Sequence, residues 1–329
     1  MALRGARARR AARGPRRPRG VVRGLGRAAL DRAGAAQRGE RVMRSVVPVA
    51  TVVLALIAVW YVAAVWLNAP WTYAQAARAG ETVAFGEMLA DTMAQRRPVL
   101  PAPHQVAAEI WKTTVETRPT SPRSLLFHGW VTLSATLLGF LIGTVLGIGL
   151  AVLIVHSRAM DLSLMPWIIA SQTIPILAIA PMIIVVLNAV GISGLLPKAL
   201  ISTYLSFFPV VVGMTAGLRS PDRLQLDLLR TYGATRGQVL RKLRWPAATP
   251  YLFPSLKVAI AASLVGAIVG ELPTGAVAGL GARLLAGSYY GQTTQIWSAL
   301  LSAALLAGVL VGIVSLANRA VLKRMGMAA

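Results

Sequence analysis

Few residues in this chain are typed and spaced for chemistry. Gly191, Ile192, Ser193 and Gly194 form a GxSG string, whose hydroxyl could attack a carbonyl if a base stood within hydrogen-bond reach. The histidines are His104, His128 and His156. His104 falls in a polar connection, His156 ends an apolar run on the side opposite Ser193, and His128 opens a run whose neighbours the sequence does not name. No serine protease is assembled from these parts. Glu271 closes another apolar run in VGELPTG. A carboxylate there lines a polar route, pairs with a cation such as Arg283, or faces water at an interface. The chain has no cysteine, no GxxxxGK[ST] phosphate loop and no HExxH metal motif. Thiolate chemistry, an ATPase site of its own and a zinc-peptidase site are therefore excluded.

The elements that must hold these residues are membrane helices. Of 329 residues 56% are hydrophobic and only 14% charged, well below the quarter charged that is usual in soluble domains. The net charge of +23 falls outside the apolar runs, mostly in residues 1–44 and in one central stretch, which fits membrane topology and not nucleic-acid binding. Residues 1–44, as in RGARARRAARGPRRPRG, cannot bury a core and read as a disordered tail. Such a tail could grip anionic lipid, stay solvated, or follow from a start codon placed too far upstream. A first span is expected at 45–67, with Trp60, Tyr61, Trp66 and Trp71 as interfacial anchors at its far end. Residues 68–125 form a mixed connection with short helices. Further spans are expected at 126–155, 162–187, 196–217, 251–272 and 295–317, followed by a tail at 318–329.

Six spans put both termini on one side. Arg158, the cations between Arg219 and Arg244, and Arg319, Lys323 and Arg324 all fall on that side, whereas the opposite short loops carry little beyond Lys198 and Arg283. The positive-inside rule makes the first side cytoplasmic. Within the spans, Gly139, Gly143 and Gly147 form a small-xxx-small row suited to close helix packing. Gln172, Thr173, Pro175 and Pro181 interrupt the third span; such a sequence fits a broken helix beside a transport path and equally a kinked packing helix.

The main interruption, within residues 218–250, reads SPDRLQLDLLRTYGATRGQVLRKLRWP from Ser220 to Pro246. Ser220 is placed to cap a helix, Pro221 suits its first turn, and Asp222 complements its dipole. Leu224, Leu228 and Tyr232 recur every four residues as one apolar stripe, with Asp227 in reach of Arg223 and Arg230. Gly233 suits the left-handed C-terminal cap, and Thr235 with Gln238 has capping-box spacing for a second helix through Val239, Leu240 and Leu243 to Pro246. The local signals fit a docking elbow or an ordinary loop.

The elbow resembles the EAA loop of ABC-importer permeases, whose pattern is EAA, three residues, Gly, nine residues, Ile-x-Leu-Pro. Asp227, Leu228 and Leu229 stand in the EAA places, Gly233 in the glycine place, and Leu243, Arg244, Trp245 and Pro246 in the last four. Asp replaces Glu, two leucines replace alanines, and Trp replaces Leu. The likeness runs from about Leu100 to Leu316. LPAPHQVAAEIW, IPILAIAPMIIVVLNAVG and GELPTGAVAGLG are similar to segments of the nitrate, sulfonate and taurine branch.

The resemblance implies an all-α, six-span bundle of the type I importer permease kind in a bacterial inner membrane. It implies no covalent chemistry and no cofactor bound by this chain, ATP being used by a partner. The implied partners are cytoplasmic ATPase subunits, an extracytoplasmic solute-binding protein and a second permease copy. Asp227, Leu228, Leu229, Tyr232, Gly233, Ala234, Leu243 and Pro246 would couple to the ATPase; Gln172, Thr173, Pro175 and Glu271 would belong to the path. The cargo would be a small solute of the nitrate, sulfonate or taurine type. The alternatives are a vitamin-related heterocycle, to which Tyr289 and Tyr290 lean, and a non-transporting membrane scaffold.

Overall fold

The computed structural model describes residues 21–273 and 278–326, with side chains from residue 47 onward. All of the described regular structure is helical. The chain divides into two compact units, Met1–Val62 and Ala63–Ala329. The helix α1, Val21–Ala79, begins inside the arginine-rich segment and runs past the expected end of the first span at residue 67. A structureless tail was expected from 1 to 44, yet residues 21–44 have helical backbone; residues 1–20 lie outside the described residues. Arginine and alanine are strong helix formers, so poverty in core residues does not forbid a helix.

The connection is ordered by its polar side chains. It contains α2, Phe85–Ala94, and α3, Pro103–Trp111, which continues into a π-helical turn at Lys112–Glu116. The fully buried Asn68 donates to the Leu100 carbonyl at 2.8 Å and accepts from the Val99 amide at 2.7 Å. Thr293 donates to the Pro98 carbonyl at 2.5 Å, tying the connection to the last helix.

Three long helices form the core of the second unit: α4, Leu125–His156; α7, Leu195–Arg219; and α10, Trp245–Glu271. The glycine row on α4 is the reason they approach so closely. A Cβ added at Gly139 would lie 2.2 Å from the Ser202 Cβ, at Gly143 2.2 Å from the Ser206 Oγ, and at Gly147 2.7 Å from the Val210 Cβ. On the other face of α7, a Cβ at Gly217 would lie 2.8 Å from the Ala248 Cα. Buried hydroxyls then bond across the gaps: Ser263 donates to the Thr136 carbonyl and Ser202 to the Ser263 carbonyl, each at 2.8 Å. In a membrane such close packing and interhelical bonding replace the hydrophobic effect as the cohesive terms.

The third expected span, 162–187, is not one helix. It divides into α5, Arg158–Ser171, and α6, Ile176–Ala189, which meet at 99°. Each is about 21 Å long, short of the roughly 30 Å hydrocarbon layer. Among the described residues five helices are thus long and apolar enough to span, or six if the bent pair counts as one.

The elbow comprises α8, Arg223–Thr231, and α9, Arg236–Val239. The second helix of the elbow does not stop at Pro246, as expected, but passes through a π turn at Leu240–Arg244 into α10, so that Arg236–Glu271 is one span-length element. The Trp245 amide reaches back five residues to the Leu240 carbonyl. This wider turn admits Pro246 in the first turn of α10, where its missing N–H and ring are tolerated. The chain ends through α11, Leu280–Tyr289, and α12, Thr293–Arg324, the latter extending well into the expected tail.

Candidate functional site

At the elbow, backbone chemistry fixes two short helices with little help from a core. Asp222, not Ser220, is the N-cap of α8, and its amide donates to the Gln225 Oε1 at 3.3 Å. Ser220 instead donates to the Gly217 carbonyl at 2.8 Å and so finishes α7, because a hydroxyl directly after a helix end can reach one of its orphan acceptors. Gly233 has φ +66°; its amide donates to the Arg230 carbonyl at 2.9 Å, and the Ala234 amide to the Leu229 carbonyl at 3.0 Å. These two bonds make a Schellman cap, which needs the left-handed residue at this position. Thr235 and Gln238 exchange the two bonds of the expected capping box, at 3.3 and 2.9 Å. Asp227 pairs with Arg230 at 2.9 Å.

The side chains of α8 leave its stripe uncovered. Leu224 is 77% exposed, Leu228 56% and Tyr232 79%. Leu229, Ala234, Leu243 and Pro246 are half-buried and hold the elbow to its base. Arg244 donates to the Leu218 carbonyl at 3.3 Å, and Arg219 meets Asp161 at 2.8 Å, joining the elbow and the start of α5 to the end of α7.

Gln172, Thr173 and Pro175 come together at the 99° break and are all exposed. In a continuous helix the Ser171 carbonyl would accept from residue 175, but Pro175 has no N–H. The Tyr204 hydroxyl of α7 donates to that carbonyl instead. Beside the break lies an apolar cleft of about 610 Å³, lined by Met182, Val186, Leu146, Thr203, Tyr204 and Phe207 among others, with no charged residue.

Glu271 is fully buried. Gly281 donates its amide to Oε2 at 2.8 Å, and the Thr132 hydroxyl lies 3.0 Å from both carboxylate oxygens. The Leu280 amide donates to the Thr132 Oγ1 at 2.8 Å, and the Gly279 amide to the His128 Nδ1 at 3.0 Å. Glu271 and Thr132 therefore cap the first turn of α11. Gly279, at φ +128°, is required here, because a Cβ on it would lie 2.2 Å from the Glu271 Cδ. The suggested pairing of Glu271 with Arg283 is absent: Arg283 reaches the Glu109 carboxylate at 3.4 Å and the Arg123 carbonyl at 2.8 Å. The His128 Nε2 sits 2.9 Å from the Pro122 carbonyl, so both ring nitrogens are engaged and neither can serve Ser193 as a base. Residues 274–277 of the glycine-bearing stretch lie outside the described residues.

Thr132 and Glu109 are parts of this arrangement that sequence reasoning missed. A threonine in an apolar helix and a glutamate in a mixed connection carry no spacing signal, and their partners lie 139 and 174 residues away.

The comparisons with known proteins agree with this architecture. Residues 143–327 match the family described as the binding-protein-dependent transport system inner membrane component. The chain belongs to this family. It is 33% identical over 221 residues to the riboflavin transport system permease protein of Chloroflexus aurantiacus, covering 67% of this chain and 78% of that one. It is 32% identical over 183 residues to the formylaminopyrimidine transport permease protein of Halalkalibacterium halodurans, covering 56% and 68%. With the putative aliphatic sulfonates transport permease protein of Bacillus subtilis it shares 26% over 199 residues, covering 60% and 70%. The chain is thus a multi-pass ABC-importer inner-membrane permease, a transport subunit.

Proposed function

We infer that this permease carries a vitamin-related heterocycle, a flavin or a pyrimidine, through the membrane, and that a separate ATPase drives it through the elbow. One observation carries the coupling reading: Leu224, Leu228 and Tyr232 stay exposed on a helix whose C-terminal end is closed by the chain's own backbone bonds. A short, rigid helix with an uncovered apolar stripe suits insertion into a groove on a partner. Asp227, Leu228, Leu229, Tyr232, Gly233 and Ala234 form the docking end, and Leu243 and Pro246 join it to α10. ATP-driven closure of the partner would then move the elbow and, through the Arg244 and Arg219 contacts, the helices above it as rigid bodies. The charge pattern supports a cytoplasmic elbow and cytoplasmic termini. A solute-binding protein delivers the cargo on the other side, and a second permease copy completes the path.

Two observations favour a heterocycle over nitrate or a sulfonate. Relatives named for riboflavin and formylaminopyrimidine share 33% and 32% identity with this chain, against 26% for the one named for sulfonates. The cleft beside the break offers Tyr204 and Phe207 and no cation, a lining suited to a flat ring and poor for an oxyanion. Gln172, Thr173 and Pro175 stand at the gate of that route, and Glu271 acts as a positioning residue for α11. The test is uptake of labelled riboflavin, formylaminopyrimidine, taurine and nitrate by cells with and without the gene. Loss of heterocycle uptake alone is expected; loss of taurine or nitrate uptake with heterocycle uptake unchanged would overturn the cargo assignment.

A further inference from the structure

A second polar site lies at the opposite end of α4 from the elbow, separated from it by roughly 40 Å of helix. There a cavity of about 520 Å³ is lined by Glu109, Lys112, Arg123, His128, Arg283 and Gln295, with neighbouring small and polar residues. Three cations face one carboxylate. Arg283 is only 7% exposed, and its guanidinium is incompletely satisfied: one nitrogen donates to the Arg123 carbonyl at 2.8 Å and another makes a long 3.4 Å contact with Glu109. The buried Nε has no hydrogen-bond partner. Burial lowers the Arg283 pKa from its ordinary value while Glu109 opposes the shift, and the group stays charged across the physiological range.

A buried charged donor without a partner is costly, and a polar cavity against it is where a partner would sit. Lys112 and Arg123 lie at the mouth, exposed. The geometry points to an oxyanion-binding site in this cavity, in which Arg283, with Arg123 and Lys112, holds a phosphate group. The proposal is independent of the cargo reading. An occupant would also bear on α11, because Arg283 lies on that helix one turn beyond the Glu271 cap, and His128 both lines the cavity and holds the Gly279 amide.

The phosphate could be free or belong to a lipid headgroup, and one experiment separates them. The full chain is placed in maltoside detergent micelles, which carry no phosphate, and its thermal midpoint is followed against inorganic phosphate, with chloride at matched ionic strength as the control. A second set of micelles contains phosphatidylglycerol and no added phosphate. A midpoint that rises with phosphate assigns a free anion, and one that rises with phosphatidylglycerol assigns a lipid headgroup. In either case Arg283→Met should weaken the response roughly ten-fold or more. Because that variant alters a buried group, Arg123→Gln at the exposed mouth serves as the second variant, and a several-fold weakening is expected. No response in either set, or a response unchanged in both variants, would overturn the site.

Discussion

The Tyr204 hydroxyl takes the place of the N–H that Pro175 cannot offer to the Ser171 carbonyl. One hydrogen bond from α7 therefore closes the polar gap opened by the break between α5 and α6. In a membrane an open carbonyl at such a gap must find a partner, and this one finds it in a neighbouring helix.

Tyr204→Phe should accordingly lower the thermal midpoint by the equivalent of roughly 1 kcal/mol, since it leaves the carbonyl unpaired. Ser171→Ala should change the midpoint much less, because the acceptor is backbone and not the serine side chain. Thermal unfolding of both purified variants checks this; equal losses would show that the contact with the carbonyl is unimportant.

The junction of Glu271 with Gly279 should behave as a single unit. Glu271→Ala strands the Gly281 amide and opens a cavity, costing roughly 2–4 kcal/mol. Gly279→Ala drives a methyl into the carboxylate and also strains a positive φ. Removing the carboxylate removes that clash, so the double variant should be less destabilised than the sum of the singles. A double-mutant cycle on unfolding midpoints reads the coupling, and strict additivity would deny the contact.

Much of this architecture was legible beforehand, and the parts that were not share a cause. The α4 glycine row, the Gly233 cap and the Thr235–Gln238 box are local patterns, and the structure forms each as its spacing implies. Ser220 was misplaced by one cap because two helix ends compete for the same short segment, and only the tertiary path decides which wins. The third span breaks at Pro175, one of the two readings its sequence admitted, and what distinguishes them is Tyr204, 33 residues beyond Ser171. Glu271 was legible as important but not in its role, since Thr132 and the 279–281 turn reach it through folding alone.

Gly233 offers a test in which sterics and backbone conformation separate. No atom lies within 4 Å of an added Cβ, so a side chain there meets open space, while φ +66° penalises any residue except glycine or, less severely, asparagine. Gly233→Trp should insert into the membrane normally yet lose ATPase coupling, and Gly233→Asn should retain a substantial part of it. Fluorescence-detected gel filtration and ATPase stimulation measure the two properties. Full coupling in Gly233→Trp would contradict the account of this turn.

The most direct test of coupling through the elbow is the combined variant Leu224→Ser, Leu228→Ser and Tyr232→Ser, co-expressed with the ATPase and binding protein of its own system. These side chains are exposed in the chain by itself, so the purified variant should keep the wild-type thermal midpoint. It should fail to retain the ATPase on co-purification, and substrate-loaded binding protein should no longer stimulate ATP hydrolysis. Retention of the ATPase with undiminished stimulation would contradict the account.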